Sequence, residues 1–193
     1  MNVGVVWGES RDLFQILHQK QLLVLRGMIA AGLTTAAALS LALARPPRSW
    51  LPAPGLEASL SHVSTWCMLP LICLALMIAV MARARFLSAD DIDAGSDLER
   101  GKKTCGYQSI LQNTLEQTVL STATYIIWSV SMPTAMQVVP ASAAVLFVAG
   151  RVFFFCGYNR GAPARAFGFG LTFYPTVAMM AGIFGRMAAA ASQ

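Results

Sequence analysis

The chain has 193 residues, of which 56% are hydrophobic and only 12% are charged, and its mean hydropathy is +0.58. A water-soluble domain usually has about 45–50% apolar and about 25% charged residues, and a globule of this size could not enclose so much apolar surface. The same composition excludes a disordered chain. We therefore expect an integral membrane protein. The net charge of +5 is interpreted as a topology signal and not as a nucleic-acid footprint, because no basic stripe with interleaved aromatic residues is present.

Five apolar runs are of the length that a membrane-spanning helix needs, which is about 20 residues. They cover residues 22–44, 63–82, 110–131, 141–158 and 166–190. A loop with four prolines separates the first two runs, and the polar stretch 83–107 separates the second from the third. Met132-Pro133 ends the third run, and a short loop at 159–165 precedes the fifth. The sequence predicts an all-α membrane fold with five spans.

The basic residues are distributed unevenly between the two sides that five spans define. Ten Lys and Arg fall on the side of the N-terminus, whereas only Arg45, Arg48 and Arg186 fall on the other side. Because cytoplasmic loops carry the excess of positive charge, we expect the N-terminus in the cytoplasm and the C-terminus outside. The small size and the alanine-rich composition fit a bacterial inner membrane.

Two ionisable residues, Glu116 and Arg151, lie within predicted spans. A charge at the centre of a membrane helix costs about 2.5–3.5 kcal/mol on insertion scales, so such residues are usually paired or functional. One interpretation is that Glu116 and Arg151 pair and hold two helices together. The other is that both line a polar pocket that opens to the cytoplasm, and the two interpretations are compatible.

Helical spacing places further polar residues beside Glu116. Ser109, Asn113 and Glu116 follow one another at i, i+4 and i+7, which predicts a shared helix face, and Gln112 lies next to it. The third span therefore offers a carboxylate and two amides near its start.

The fourth span carries a second such face. Arg151, Phe154, Phe155 and Tyr158 follow one another at i, i+3, i+4 and i+7, and Arg165 comes seven residues after Tyr158. Guanidinium groups bind carboxylates through two hydrogen bonds, and a carboxylate accepts from an ammonium group. The two faces together suit a small, polar, anionic ligand.

Two stretches resemble motifs of one known family. Residues 111–117 (LQNTLEQ) and 151–165 (RVFFFCGYNRGAPAR) are similar to the Asn-x-x-Glu motif and the Arg…Gly-Tyr…Arg segment of the MAPEG family, the membrane-associated proteins in eicosanoid and glutathione metabolism. The resemblance implies a four-helix membrane bundle made of spans two to five. It also implies a homotrimer that binds glutathione between subunits near the cytoplasmic side. Residues 63–193 would form this MAPEG-like domain, and residues 1–62 would add one membrane helix and the Pro-rich loop.

The resemblance also implies roles for individual residues. Arg165 matches the family arginine that stabilises the glutathione thiolate, so it is the predicted catalytic residue. The second span ends with Arg83 and Arg85, either of which could match another family arginine. The predicted glutathione-binding residues are Asn113, Glu116, Tyr158, Arg151, Arg83 and Gln112.

The sequence departs from the family pattern at two positions, and these departures leave two functions open. Ser109 stands where many members have an arginine, four residues before Asn113, and Phe154 stands where members have a polar ring. The first hypothesis is a glutathione-dependent transferase or peroxidase that acts on a lipophilic electrophile arriving from the lipid. The alternative is a non-catalytic protein of the MAPEG fold, either a lipophile-binding protein or a scaffold subunit.

Other chemistry finds little support in the sequence. No His/Cys cluster has the spacing of a zinc site, so no metal is expected, and no inverted repeat indicates a transporter. The cysteines in apolar segments, at positions 67, 73 and 156, are expected to be buried thiols. The glycines at 168–170 and 182–185 predict close packing of membrane helices.

Overall fold

The computed structural model describes the backbone of residues 3–87 and 102–192 and the side chains of residues 17–87 and 105–192. Within these residues, three short 3-10 turns lie between long helices, at Arg48–Trp50, Thr134–Met136 and Tyr158–Arg160. The described residues contain no strand, so the predicted all-α fold is confirmed. The five long helices are α1 (Val3–Ala44), α2 (Leu56–Phe86), α3 (Lys102–Ser131), α4 (Val138–Gly157) and α5 (Ala162–Ala191).

Most helices extend beyond the predicted spans. The helix α1 begins at Val3 and not near residue 22, and α2 begins at Leu56 and not near residue 63. The apolar runs mark only the part of a helix suited to hydrocarbon, whereas backbone hydrogen bonding continues through the polar residues beside it. Pro46 and Pro47 follow α1 after Arg45, and neither can donate the hydrogen bond that a further turn requires.

Four of the five helices are long and apolar enough to cross a membrane. The stretches that meet this criterion within the described residues are Leu17–Ala44, Leu56–Phe86, Thr134–Arg160 and Ala162–Ala191. The helix α3 has the length but is more polar, with buried Thr114, Gln117, Thr118, Ser121 and Thr124.

The polar side chains of α3 find partners inside the bundle. The hydroxyls of Ser121 and Thr176 lie 3.0 Å apart, which joins α3 to α5. The hydroxyl of Thr118 donates to the carbonyl oxygen of Pro70 at 3.4 Å, which joins α3 to α2. Polar residues in a membrane protein are retained when they face protein rather than lipid, so α3 is a central helix of the bundle.

Glycine allows α5 to approach two neighbours closely. A Cβ on Gly168 would collide with the backbone nitrogen of Phe154 in α4, and a Cβ on Gly170 would lie 2.5 Å from the Cβ of Ala31 in α1. The predicted close packing around residues 168–170 is therefore confirmed. A Cβ on Gly185 would meet no atom within 4 Å, so the same prediction is wrong at that position.

The first helix packs against α5 in a parallel direction. Gly27 lies against Ala166, and Ala31, one helical turn further, lies against Gly170. The opposite side of α1 is exposed and apolar, with Leu25, Ile29 and Leu33 among its exposed residues. Because lipid is as apolar as these side chains, close contact between small residues is what holds such a pair of helices together.

The bundle has two apolar clusters. The larger one contains Val63, Tyr125, Trp128, Val138 and Met179, from the ends of the helices near the Pro-rich loop. The smaller one contains Met77, Ile110 and Phe154, with Tyr107, Tyr158 and Phe169 packed against it. The smaller cluster lies at the end of the bundle where α4 meets α5, with Arg151 against the ring of Phe154 and Arg165 against the ring of Tyr158.

Candidate functional site

The guanidinium of Arg151 ties three helices together. Its Nη1 donates to Oδ1 of Asn113 in α3 at 2.9 Å, and its Nη2 donates to Oγ1 of Thr172 in α5 at 2.7 Å. The guanidinium carbon lies 5.5 Å from the ring centre of Phe147 and 4.8 Å from that of Phe154. Only 7% of Arg151 is exposed, so its charge is held by neutral hydrogen-bond acceptors and ring faces.

Arg151 does not pair with Glu116, so that interpretation of the two intramembrane charges is wrong. Glu116 is exposed, and its Oε1 accepts a hydrogen bond from Nε2 of Gln112 at 2.9 Å. The reason is helix geometry, because Glu116 lies three residues beyond Asn113 and its side chain leaves the helix about 60° away from that of Asn113. Asn113 therefore faces α4 and α5, whereas Glu116 and Gln112 lie on the outer surface of α3.

Tyr158 and Arg165 meet across the turn that joins α4 to α5. The guanidinium carbon of Arg165 lies 5.1 Å from the ring centre of Tyr158, a distance at which a cation is attracted by an aromatic face. Gly161 has a φ of +94°, which lets the chain reverse between the 3-10 turn and α5. Arg165 is half-buried and therefore remains accessible to a ligand.

The predicted face of α4 is only partly correct. The rings of Phe154 and Tyr158 lie 5.9 Å apart, so Arg151, Phe154 and Tyr158 form one continuous row. Phe155 is 42% exposed and leaves that row. Phe154, which is buried, belongs to the core.

A cavity of about 500 Å³ opens beside this row. Its volume falls within the range of about 300–1,000 Å³ that small-molecule pockets occupy. Its polar groups come from Asn113, Tyr158 and Arg165, three of the predicted site residues, and from Ser109. Its lining residues, from four helices, are Val24, Met28, Ser109, Asn113, Phe154, Tyr158, Ala162, Arg165, Ala166 and Phe169. We call this space the Arg165 cavity.

The other predicted site residues lie elsewhere. Gln112 and Glu116 do not line the Arg165 cavity. Arg83 and Arg85 are both exposed in the last turn of α2. Arg151 does not line the cavity but contacts two residues that do, Asn113 and Phe154.

Arg151 borders a second cavity, which is almost entirely apolar. This space of about 400 Å³ lies between α2, α3 and α4, and Cys73, Leu76 and Ile110 are among its lining residues. Phe154 lines both cavities. The site region therefore has a polar space and an apolar space that share one buried residue as part of their walls.

Ser109 offers the Arg165 cavity a hydroxyl and no charge. Its Oγ donates to the carbonyl oxygen of Cys105, one turn earlier in α3, at 3.1 Å. A guanidinium at this position would have added a second cation to the cavity wall. Arg165 is thus the single basic residue among those that line the Arg165 cavity.

The site region also contains residues that the sequence did not predict, among them Thr172, Phe169 and Met28. Thr172 and Phe169 lie on α5 at i+7 and i+4 from Arg165, so helical spacing alone would have placed them on the arginine's face. Met28 of α1 carries no comparable signal, because it lies within a uniformly apolar run.

The described residues contain no group of three or more His, Cys, Asp or Glu side chains arranged to hold a metal ion. Of the cysteines expected to be buried, Cys67 is buried and Cys73 is half-buried, but Cys156 is exposed. The prediction is therefore wrong for Cys156, because this residue lies on the outer side of α4 beside Phe155.

The sequence of these helices matches that of a known protein family. A sequence model of the MAPEG family matches residues 63–185, which is more than half of the chain. The chain belongs to the MAPEG family. Neither the curated proteins nor the solved structures provide a match.

MAPEG membership accounts for α2 to α5, whereas α1 lies outside the matched residues. With at least four helices suited to a bilayer, this MAPEG chain is an integral, multi-pass membrane protein. The MAPEG family includes glutathione-related transferases, peroxidases and related membrane proteins. The predicted division of the chain at residue 62 remains a prediction.

Proposed function

We propose that this MAPEG protein is a membrane-embedded, glutathione-dependent transferase or peroxidase that acts on a lipophilic electrophile. The observation that carries the proposal is the Arg165 cavity, which brings Asn113, Tyr158 and Arg165 together in a MAPEG chain. The sequence alone also predicts each of these residues as part of the site.

The chemistry of the cavity suits part of glutathione. Glutathione carries two carboxylates, an ammonium group and a thiol. A guanidinium, an amide and a phenol are suitable partners for its carboxylates and its thiolate. The carboxylate that would bind the ammonium group, on Glu116, lies outside the cavity and faces away from the subunit.

We propose that a neighbouring copy of the chain completes the site. Glu116 and Gln112 form a polar pair on the outer face of α3, where contact with lipid would be costly. In a homotrimer this face would lie against the next subunit, so that glutathione would bind near both. Arg83, in the last turn of α2, would contribute a further cation from the same end of the bundle.

Arg165 is the proposed catalytic residue. A thiol has an ordinary pKa of about 8.5 and is mostly protonated at neutral pH. The thiolate is the true nucleophile, and a neighbouring guanidinium stabilises it relative to the thiol. The ring face of Tyr158 lies against the guanidinium of Arg165, and both side chains line the cavity.

The reaction joins a water-soluble thiol to a lipophilic molecule. The thiol proton passes to solvent, the thiolate sulfur forms a bond to the electrophilic carbon, and the leaving group departs with the bonding electron pair. In the peroxidase version, two glutathione thiols reduce a lipid hydroperoxide to its alcohol and water and become a disulfide. Both versions require the same thiolate beside Arg165.

The membrane setting is part of the proposal. The distribution of basic residues supports a cytoplasmic N-terminus and an external C-terminus. The end of the bundle that carries Arg165 then faces the cytoplasm, which holds glutathione. A bacterial inner membrane fits the small, alanine-rich chain.

A non-catalytic MAPEG protein is the second candidate, and Ser109 is the observation that favours it. The Ser109 hydroxyl is bonded within its own helix, so it supplies no charge in place of the arginine that many members have. In this case the cavity would bind a lipophilic ligand, or the bundle would act as a scaffold subunit, without turnover.

Glutathione-dependent thermal stabilisation of the detergent-solubilised protein tests the proposal. At a ligand concentration of 100 Kd, a single site stabilises the folded protein by about 2.7 kcal/mol. We expect this stabilisation in the wild type and a smaller one in Arg165→Ala. The control is Arg160→Ala, which removes an exposed arginine from the adjacent turn. An unfolding midpoint that glutathione does not change in the wild type would remove the proposed function.

A further inference from the structure

The Arg165 cavity includes a wall from outside the MAPEG region. Residues 63–185 match the family, yet Val24 and Met28 of α1 line the cavity together with Arg165. They are spaced i and i+4 and therefore lie on one side of the helix. Gly27, between them, contacts Ala166 of α5, so the packing of α1 on α5 is what places both side chains there.

This wall belongs to a helix whose outer side is apolar and exposed. Only 11% of the most apolar stretch of α1 is buried inside the protein, and Leu25 and Ile29 on its outer side are 51% and 53% exposed. Val24 and Met28 are half-buried. They therefore form an apolar boundary of the cavity next to the outer side of α1, whereas Tyr158 and Arg165 supply polar groups where α4 meets α5.

We propose that Val24 and Met28 determine specificity by contacting the lipophilic group that becomes joined to the glutathione sulfur. The inference rests on the function proposed above, because Arg165 marks the position of the sulfur. An electrophile that reacts there must occupy the same cavity, and α1 offers it two adjacent apolar side chains. Met has an unbranched, adaptable side chain that fits irregular apolar partners, which suits a range of alkyl groups.

The ligand class that follows is an S-substituted glutathione with an apolar substituent. Burial of two methylene groups against an apolar wall raises affinity by about tenfold. S-hexylglutathione should therefore bind the wild type at least about tenfold more tightly than S-methylglutathione. The preference measures contact with the wall, since both ligands are thioethers with the same peptide, whereas glutathione also offers a thiolate to Arg165.

The experiment measures the affinities of S-methylglutathione and S-hexylglutathione for the full-length protein in nanodiscs, by titration calorimetry. In a Val24→Ala/Met28→Ala double variant, we expect the ratio of the two affinities to fall by about tenfold. The matched control is Leu25→Ala/Ile29→Ala, which has the same spacing on the outer face of α1 and should keep the wild-type ratio. Alanine maintains the helix in both variants, and thermal unfolding would verify that both fold.

A third variant tests the wall in the opposite direction. Met28→Trp narrows the cavity, so S-methylglutathione should bind it more tightly than S-hexylglutathione, in contrast to the wild type. An unchanged ratio in Val24→Ala/Met28→Ala, together with an unchanged order of ligands in Met28→Trp, would overturn this inference alone. A wild type that binds neither ligand would overturn the proposed function as well.

Discussion

Replacement of Asn113 should destabilise the bundle through the charge on Arg151. Asn113→Ala removes the acceptor of the 2.9 Å hydrogen bond from the buried guanidinium. A hydrogen bond to a charged group contributes about 1.5–3 kcal/mol, and Arg151, with 7% exposure, has little access to water that could replace it. We therefore expect Asn113→Ala to lower the free energy of unfolding by about 1.5–3 kcal/mol.

Asn113→Ala made in a protein that lacks the Arg151 charge distinguishes the lost hydrogen bond from a simple loss of side-chain volume. Arg151→Met removes the charge and keeps an apolar side chain of similar length, and a buried charge that loses one partner is more harmful than an apolar replacement of the charge. Asn113→Ala should therefore destabilise the Arg151→Met protein less than it destabilises the wild type, and the two losses in free energy of unfolding should differ by at least about 1 kcal/mol.

Unfolding in mixed detergent micelles, followed by tryptophan fluorescence, measures all four proteins of this cycle. Gln112→Ala is the control, because Gln112 is exposed one residue earlier in α3 and its loss should change stability by less than about 0.5 kcal/mol. An equal effect of Asn113→Ala in both backgrounds would refute the role assigned to the guanidinium.

Three further predictions follow from the proposed site, its assembly and its orientation. Arg165→Ala should reduce kcat to the extent that corresponds to a loss of about 3–4 kcal/mol of transition-state stabilisation, and this loss should exceed the loss in free energy of glutathione binding. Equal effects on kcat and affinity would show that Arg165 serves binding alone. Glu116→Ala should reduce the trimer fraction seen by native mass spectrometry without affecting the stability of the subunit, and a monomeric wild type at every detergent concentration would remove the intersubunit site. In a cysteine-free protein in intact cells, a membrane-impermeant maleimide should label Ser49→Cys and spare Asn159→Cys, and the reverse pattern would invert the topology.

The sequence was sufficient to predict the helices because apolar runs of this length have few alternatives in a bilayer. The end of α3 at Ser131 agrees with the prediction from Met132-Pro133. The beginning of α1 was not predicted, because a helix continues into polar sequence wherever its backbone groups stay bonded. The limits of apolar runs therefore indicate where the membrane lies rather than where helices begin.

The sequence predicts the site residues correctly where a motif and a helix face coincide. It does not predict them where a small rotation of the helix decides whether a side chain faces the cavity or the outer surface. Asn113, Tyr158 and Arg165 were selected from their spacing and do line one cavity. Glu116 lies only three residues beyond Asn113, and the direction of its side chain depends on which face of α3 packs inward. The position of α1 depends on Gly27 and Ala31 meeting α5, and small residues in an apolar run do not reveal their partner.

Ultraviolet difference absorbance of the thiolate, recorded as glutathione is added to the purified protein, tests the central claim most directly. We expect a saturable thiolate signal at neutral pH in the wild type, an unchanged signal in Arg160→Ala and a loss of the signal in Arg165→Ala while glutathione still binds. Binding of glutathione without any thiolate signal in the wild type would contradict the catalytic role of Arg165.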